Sequence, residues 1–126
     1  MVNWLLAGLA VYLSYVYIAA LLYLPQVGVA RHVRGRDNLP EPSLLAGRAQ
    51  RAVKNYEENL PFFLTLGILV MVVQSADTTL AESGALVFVL ARIAYFPLYL
   101  SAIPLARSSA YGVSLVGLGM MVAALL

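Results

Sequence analysis

Residues 1–30 contain no charged side chain, and further uncharged runs follow at 59–76 and 108–126. A fourth apolar run, 83–106, carries a single charge, Arg92. A helix needs about 20 apolar residues to cross a bilayer. The pattern therefore predicts an all-α integral membrane protein with four transmembrane helices, at approximately 3–25, 44–75, 83–104 and 107–126. In 126 residues that leaves only short connections and no soluble domain. Composition agrees: 62% of the chain is hydrophobic and 11% charged, against about a quarter charged in a soluble domain. A soluble globule this small has too little interior to hide so much apolar surface. Disorder is excluded on the same ground. The first run reads as a span rather than a signal peptide, since no basic segment precedes it and no small-residue cleavage site is evident.

The few charges are clustered. Residues 31–58 hold six of the eight basic side chains: Arg31, Arg34, Arg36, Arg48, Arg51 and Lys54. Residues 77–83 read as a short acidic loop, and Arg107, Ser108 and Ser109 as a tight polar turn after Pro104. Four spans put the basic segment and Arg107 on one side of the membrane, with both termini, Asp77 and Glu82 on the other. The positive-inside rule assigns the basic side to the cytoplasm. Gly35, Pro40 and Pro42 separate the first helix from the second, and Ser43 is placed to cap the second. The chain has no cysteine and one histidine, His32. No disulfide, thiolate metal site or cysteine nucleophile is available, and a histidine-based metal site is not expected. A net charge of +2 is too small for nucleic-acid binding.

On the second helix Arg48, Arg51, Asn55 and Glu58 follow i, i+3, i+7, i+10, within an arc of roughly 80°. Asn59 lies at its edge, while Lys54 and Glu57 project elsewhere and are spaced to pair with each other. A stripe of this kind beside an apolar run is costly unless its members pair or meet a polar ligand. It is either a solvated helix end or a binding surface. On the third span Arg92, Tyr95 and Tyr99 also share a face. An arginine so deep in a span marks either a functional site or a structural pair with Glu57 or Glu58. The tyrosines double as interfacial anchors. Gly112, Gly117 and Gly119 on the fourth span are read as allowing close helix approach.

The run Arg48-x-x-Arg51-Ala-x-x-Asn55-x-x-Glu58-x-x-Pro61 resembles the signature of the MAPEG family, membrane-associated proteins in eicosanoid and glutathione metabolism. Ala91-Arg92-Ile-Ala-Tyr95-Phe-x-x-Tyr99 resembles the third-helix motif of its leukotriene synthase branch. Arg107-Ser108 followed by Tyr111 resembles the fourth-helix start of its prostaglandin E synthase branch. The resemblance covers essentially the whole chain and implies a bacterial-type member similar to the microsomal glutathione transferases. The implied fold is a left-handed four-helix bundle assembling as a homotrimer, with glutathione bound between subunits near the cytoplasmic side.

On this resemblance Arg51 holds a glutathione carboxylate, and Asn55 and Glu58 orient the peptide and its amino group. Tyr95 and Tyr99 of a neighbouring subunit hydrogen-bond the tripeptide. Arg31 or Arg34 adds positive charge, as do Arg48 and Arg92, and Ser108 and Tyr111 complete the binding set. Arg107 is the implied catalytic residue, beside the sulfur. The partners implied are glutathione as co-substrate, a hydrophobic electrophile or lipid hydroperoxide arriving from the bilayer, membrane lipids, and two further copies of the chain. The stripe offers what glutathione needs: cations for its carboxylates, a carboxylate for its ammonium, and a cation to favour its thiolate. Bacterial inner membrane is the implied location. Two other functions fit the same spans. One is a non-catalytic lipid-binding or scaffold protein of this fold. The other is a small transporter in which Arg92 lines the pathway.

Overall fold

The computed structural model describes residues 1–33 and 38–126, and of Arg31 and His32 the backbone alone. The side chains of the candidates Arg31 and Arg34 thus lie outside the described residues. Four long helices and one short one account for the regular structure among them: α1 (Val2–Val27), α2 (Val29–Val33), α3 (Leu44–Val72), α4 (Thr78–Leu100) and α5 (Pro104–Ala123). α1 runs through Pro25 and ends at Gly28, whose φ of 75° favours a residue without a Cβ. Ser43 caps α3 as expected, its hydroxyl accepting from the Ala46 amide at 3.2 Å.

Two connections differ from expectation. The acidic loop expected over 77–83 is instead the start of α4. Asp77 is its N-cap, with Oδ1 accepting from the Leu80 amide at 3.0 Å, and its own amide donates to the Ala124 carbonyl at 2.8 Å. The acidic side chain that suggested a loop is thus the group that begins the helix and ties it to the end of α5. Asp77→Ala is expected to cost about 1 kcal/mol, seen as a lower melting temperature in detergent that Asp77→Asn largely restores. The polar turn expected at Arg107–Ser109 is likewise helical. Pro104 occupies the first position of α5, where its missing N–H is harmless. The chain reverses earlier, at Ser101–Ile103, with Ala102 at φ 56°.

α1, α4 and α5 are each long and apolar enough to cross a membrane. α3 does not qualify on those terms because its first half carries the charged stripe. Its apolar part, Leu60 to Val72, spans only about 20 Å of a hydrocarbon core of roughly 30 Å. Tyr12 and Tyr15 of α1 sit against Glu57 and Tyr56 of α3, so the stripe descends to the level of the middle of α1. The polar half of α3 is therefore carried into the bundle rather than left above it.

α4 and α5 make the most extensive contact, α1 packs on α3, and α3 packs on α4. The core is aromatic: Phe63 stacks on Phe88 with centroids 4.4 Å apart, and Tyr15, Tyr56 and Phe96 continue the layer. Buried hydroxyls need partners. Tyr56 donates to the Gly8 carbonyl at 2.9 Å, and Tyr15 donates to the Arg92 carbonyl. Leucines, valines and isoleucines such as Leu21, Leu90, Ile93 and Val116 remain exposed and form the surface that lipid would cover.

Candidate functional site

Asn55 from α3, Tyr95 and Tyr99 from α4, and Arg107, Ser108 and Tyr111 from α5 line one cleft of about 220 Å³. Each of the six is a residue singled out from the sequence. Their convergence follows from the helix periods. Tyr95 and Tyr99 are one turn apart on α4, and Arg107 and Tyr111 one turn apart on α5, so each pair shares a face. The wide contact between α4 and α5 then brings the two faces together. The rings of Tyr95 and Tyr99 have centroids 5.5 Å apart, and those of Tyr95 and Tyr111 are 6.5 Å apart. The Arg107 guanidinium lies over the Tyr99 ring at 4.7 Å. This contact is possible because Arg107 stands one turn inside α5 rather than in a loop.

Behind the cleft lies Arg92, fully buried. Its Nη1 donates to Asn55 Oδ1 at 2.7 Å. Rings of Tyr56, Phe88, Tyr95 and Tyr111 surround it, with centroids 5.2 to 5.4 Å from Cζ, at the distance where a ring face attracts a cation. Neither Glu57 nor Glu58 pairs with it, so the ion pair weighed from the sequence is replaced by a bond to an amide. Glu57 accepts instead from the Tyr12 hydroxyl at 2.8 Å, and makes no ion pair with Lys54. Arg92 does not line the cleft itself.

The rest of the α3 stripe divides in two. Arg48 is half-buried and donates to the Leu100 carbonyl at 3.1 Å, placing its charge at the C-terminal end of α4, where the helix dipole favours a cation. Arg51 and Glu58 are exposed, outside the cleft of the single chain. Asn59, at the edge of the stripe, is buried, and its Nδ2 donates to the Asn55 carbonyl at 2.8 Å. Sequence reasoning missed the role of Tyr56. It follows Asn55 on the core side of α3, and its ring forms part of the Arg92 surround. The available signal was an aromatic residue between two stripe positions.

A second crevice, about 440 Å³, lies between α1 and α3 against Val16, Ala19, Ala20, Tyr23, Leu39, Gln50 and Val53. It is larger, but among the described residues no charged side chain lines it, whereas the cleft beside Arg107 brings a cation together with hydroxyl and amide groups. Among the described residues no cluster of side chains suited to a metal ion is present.

The family model described as the MAPEG family matches residues 2–126. The chain belongs to the MAPEG family. A comparison with curated proteins finds no match. The family includes glutathione transferases and related enzymes, so membership suggests glutathione-related chemistry. MAPEG membership and three apolar helices of spanning length make the chain an integral membrane protein.

Proposed function

We propose that the protein is a glutathione-dependent membrane transferase or peroxidase, in which glutathione occupies the cleft and its thiolate attacks a hydrophobic electrophile or a lipid hydroperoxide. The observation that carries this reading is the convergence of Asn55, Tyr95, Tyr99, Arg107, Ser108 and Tyr111 on one cleft. Three helices contribute, and nearly every lining group is a hydrogen-bond donor. A thiolate and two carboxylates are acceptors, and each finds complementary groups here.

In this reading Arg107 stands beside the sulfur and favours its ionised form. Ser108 and Tyr111, in the same turns of α5, hydrogen-bond the ligand near it. Tyr95 and Tyr99 hold the peptide. Arg51, whose planar fork suits a carboxylate, and Glu58, which suits an ammonium, complete the site from a neighbouring copy. That assignment accounts for their exposure. Charged groups at this depth on a lipid-facing surface are expensive, and an adjoining subunit removes the expense. The assembly is a homotrimer with a site at each seam, in which Arg31 or Arg34 and Arg48 add positive charge. The basic segment faces the cytoplasm of a bacterial inner membrane, with both termini outside.

Glutathione titrated by calorimetry into detergent-purified protein is expected to bind, and crosslinking to stop at three subunits. Arg51→Ala and Glu58→Gln are expected to weaken binding at least about tenfold, or roughly 1.4 kcal/mol, with melting temperatures close to wild type. Absence of any binding heat removes the enzyme reading. A clean monomer that still binds glutathione removes the seam.

A further inference from the structure

Asn55 carries both a donor and an acceptor on one short side chain, and the end it presents to the cleft decides what it can hold. The neighbour that settles this is Arg92, because a guanidinium only donates. The atom facing Arg92 Nη1 at 2.7 Å must therefore be the amide oxygen. With the oxygen turned to α4, the NH2 group is left as the end directed elsewhere, and Asn55 is itself a wall of the cleft.

Arg92 is poorly explained as a structural cation. It is fully buried, and among the described residues Nε and Nη2 have no hydrogen-bond partner. Among the described residues no carboxylate pairs with it. The carboxylates nearest in sequence to Asn55 are exposed, and one of them is engaged by Tyr12. A buried ion is tolerable when it is paired and fully hydrogen-bonded. Arg92 instead has aromatic rings and one neutral acceptor. Its charge is left to act on what lies next to it, and two of the surrounding rings, Tyr95 and Tyr111, are also walls of the cleft. Among the described residues no carboxylate lines the cleft.

We propose that Arg92 is a positioning residue: by holding Asn55 Oδ1 it commits the Asn55 amide to act as a donor into the cleft, and its uncompensated charge reserves that inner end for an anionic, acceptor-bearing part of the ligand. This rests on the glutathione reading and adds an orientation to it. Asn55 then contacts a carboxylate, carbonyl or thiolate of the tripeptide, and the ammonium lies at the Glu58 end. It also gives the two cations beside the cleft different work. Arg107 meets the ligand directly, whereas Arg92 acts through Asn55.

The test compares three variants of the full chain in detergent, reading melting temperature and affinity separately, with glutathione and inorganic sulfate as probes. Asn55→Asp supplies Arg92 with a counter-charge and removes the NH2. It is expected to melt at or above wild type yet bind at least about tenfold more weakly, the scale of a lost charge-assisted hydrogen bond. Arg92→Gln, whose amide can face Asn55 either way, is expected to lose affinity similarly without a matching loss of stability. Arg92→Lys, which still only donates, is expected to restore binding to within a few-fold of wild type. If Asn55→Asp and Arg92→Gln bind glutathione like wild type, the inference is overturned while the glutathione reading stands. If affinity falls only in step with melting temperature, Arg92 is structural and the inference is overturned. Wild type that binds sulfate but not glutathione ends the glutathione reading, and the same variants then decide the inference on sulfate. Wild type that binds neither ends both.

Discussion

Gly117→Leu is expected to prevent stable folding. A Cβ at Gly117 would lie 2.6 Å from the Gly84 carbonyl oxygen and 2.7 Å from the Phe88 amide nitrogen. Both obstacles are backbone, so no rotamer change relieves them. The contact is reciprocal, since a Cβ at Gly84 would lie 2.6 Å from the Gly117 carbonyl oxygen. The two glycines therefore mark where α4 and α5 touch main chain to main chain, the small-residue packing that joins helices where lipid removes the hydrophobic drive. Even alanine must push the helices apart. Overpacking usually costs about 1–3 kcal/mol, and a leucine against fixed backbone belongs beyond the upper end of that range. Native stability is only about 5–15 kcal/mol, and separating α4 from α5 also dismantles the cleft. Thermal unfolding in detergent should show Gly117→Ala lowered and Gly117→Leu aggregated or without a transition. Gly112→Ala and Gly119→Ala are the controls: among the described residues no other element lies within 4 Å of a Cβ at either position, so their transitions should stay near wild type. A Gly117→Leu protein melting with wild type would refute the crossing.

That contrast shows what a one-dimensional pattern reveals. Gly112, Gly117 and Gly119 look alike as sequence, and all three were expected at a helix contact. Only Gly117 is there, and its partner Gly84, at the start of the third apolar run, carried no signal of a contact. Periodicity assigns a residue to a face of its own helix but says nothing about which helix covers that face. The same limit governs the charges. The wheel correctly put Arg48 and Asn55 on one side of α3, and both meet α4. It did not reveal that Arg92 meets an amide rather than a carboxylate. Glu57 points instead towards α1 and Tyr12, and Glu58 is exposed. Asp77 and Arg107 were misplaced for another reason. Polar residues between apolar runs resemble loops, yet a capping carboxylate and a proline at the first helical position begin helices in the same composition. The cleft was the more legible part, because its residues are one helical turn apart on α4 and on α5, and a turn is what sequence spacing encodes.

Arg107→Ala is expected to leave the fold intact and remove most of the activity at neutral pH. Arg107 is half-buried at the cleft, its guanidinium over the Tyr99 ring, and takes no part in the contact between Gly84 and Gly117. Its expected work is on the thiol. A free thiol has a pKa near 8.5, and an adjacent cation lowers it by roughly two units. At pH 7 such a shift leaves about three-quarters of the bound thiol ionised; without it the fraction falls to about 3%. Turnover should therefore drop about 25-fold from the thiolate fraction alone. The sign gives a diagnostic. Because the cation stabilises the deprotonated form, its removal moves the acidic limb of the activity profile upward, by about two pH units. The variant should thus recover most of its lost rate at high pH, where the thiol ionises unaided. Arg107→Lys keeps the charge but not the planar stack on Tyr99, and should fall between the two. Ultraviolet absorbance of the bound thiolate reports the same ionisation without turnover, and should vanish at pH 7 in Arg107→Ala. An Arg107→Ala protein with undiminished thiolate absorbance and an unmoved pH profile would place the activating cation elsewhere. A variant equally impaired at every pH would show that Arg107 holds the ligand rather than ionising it.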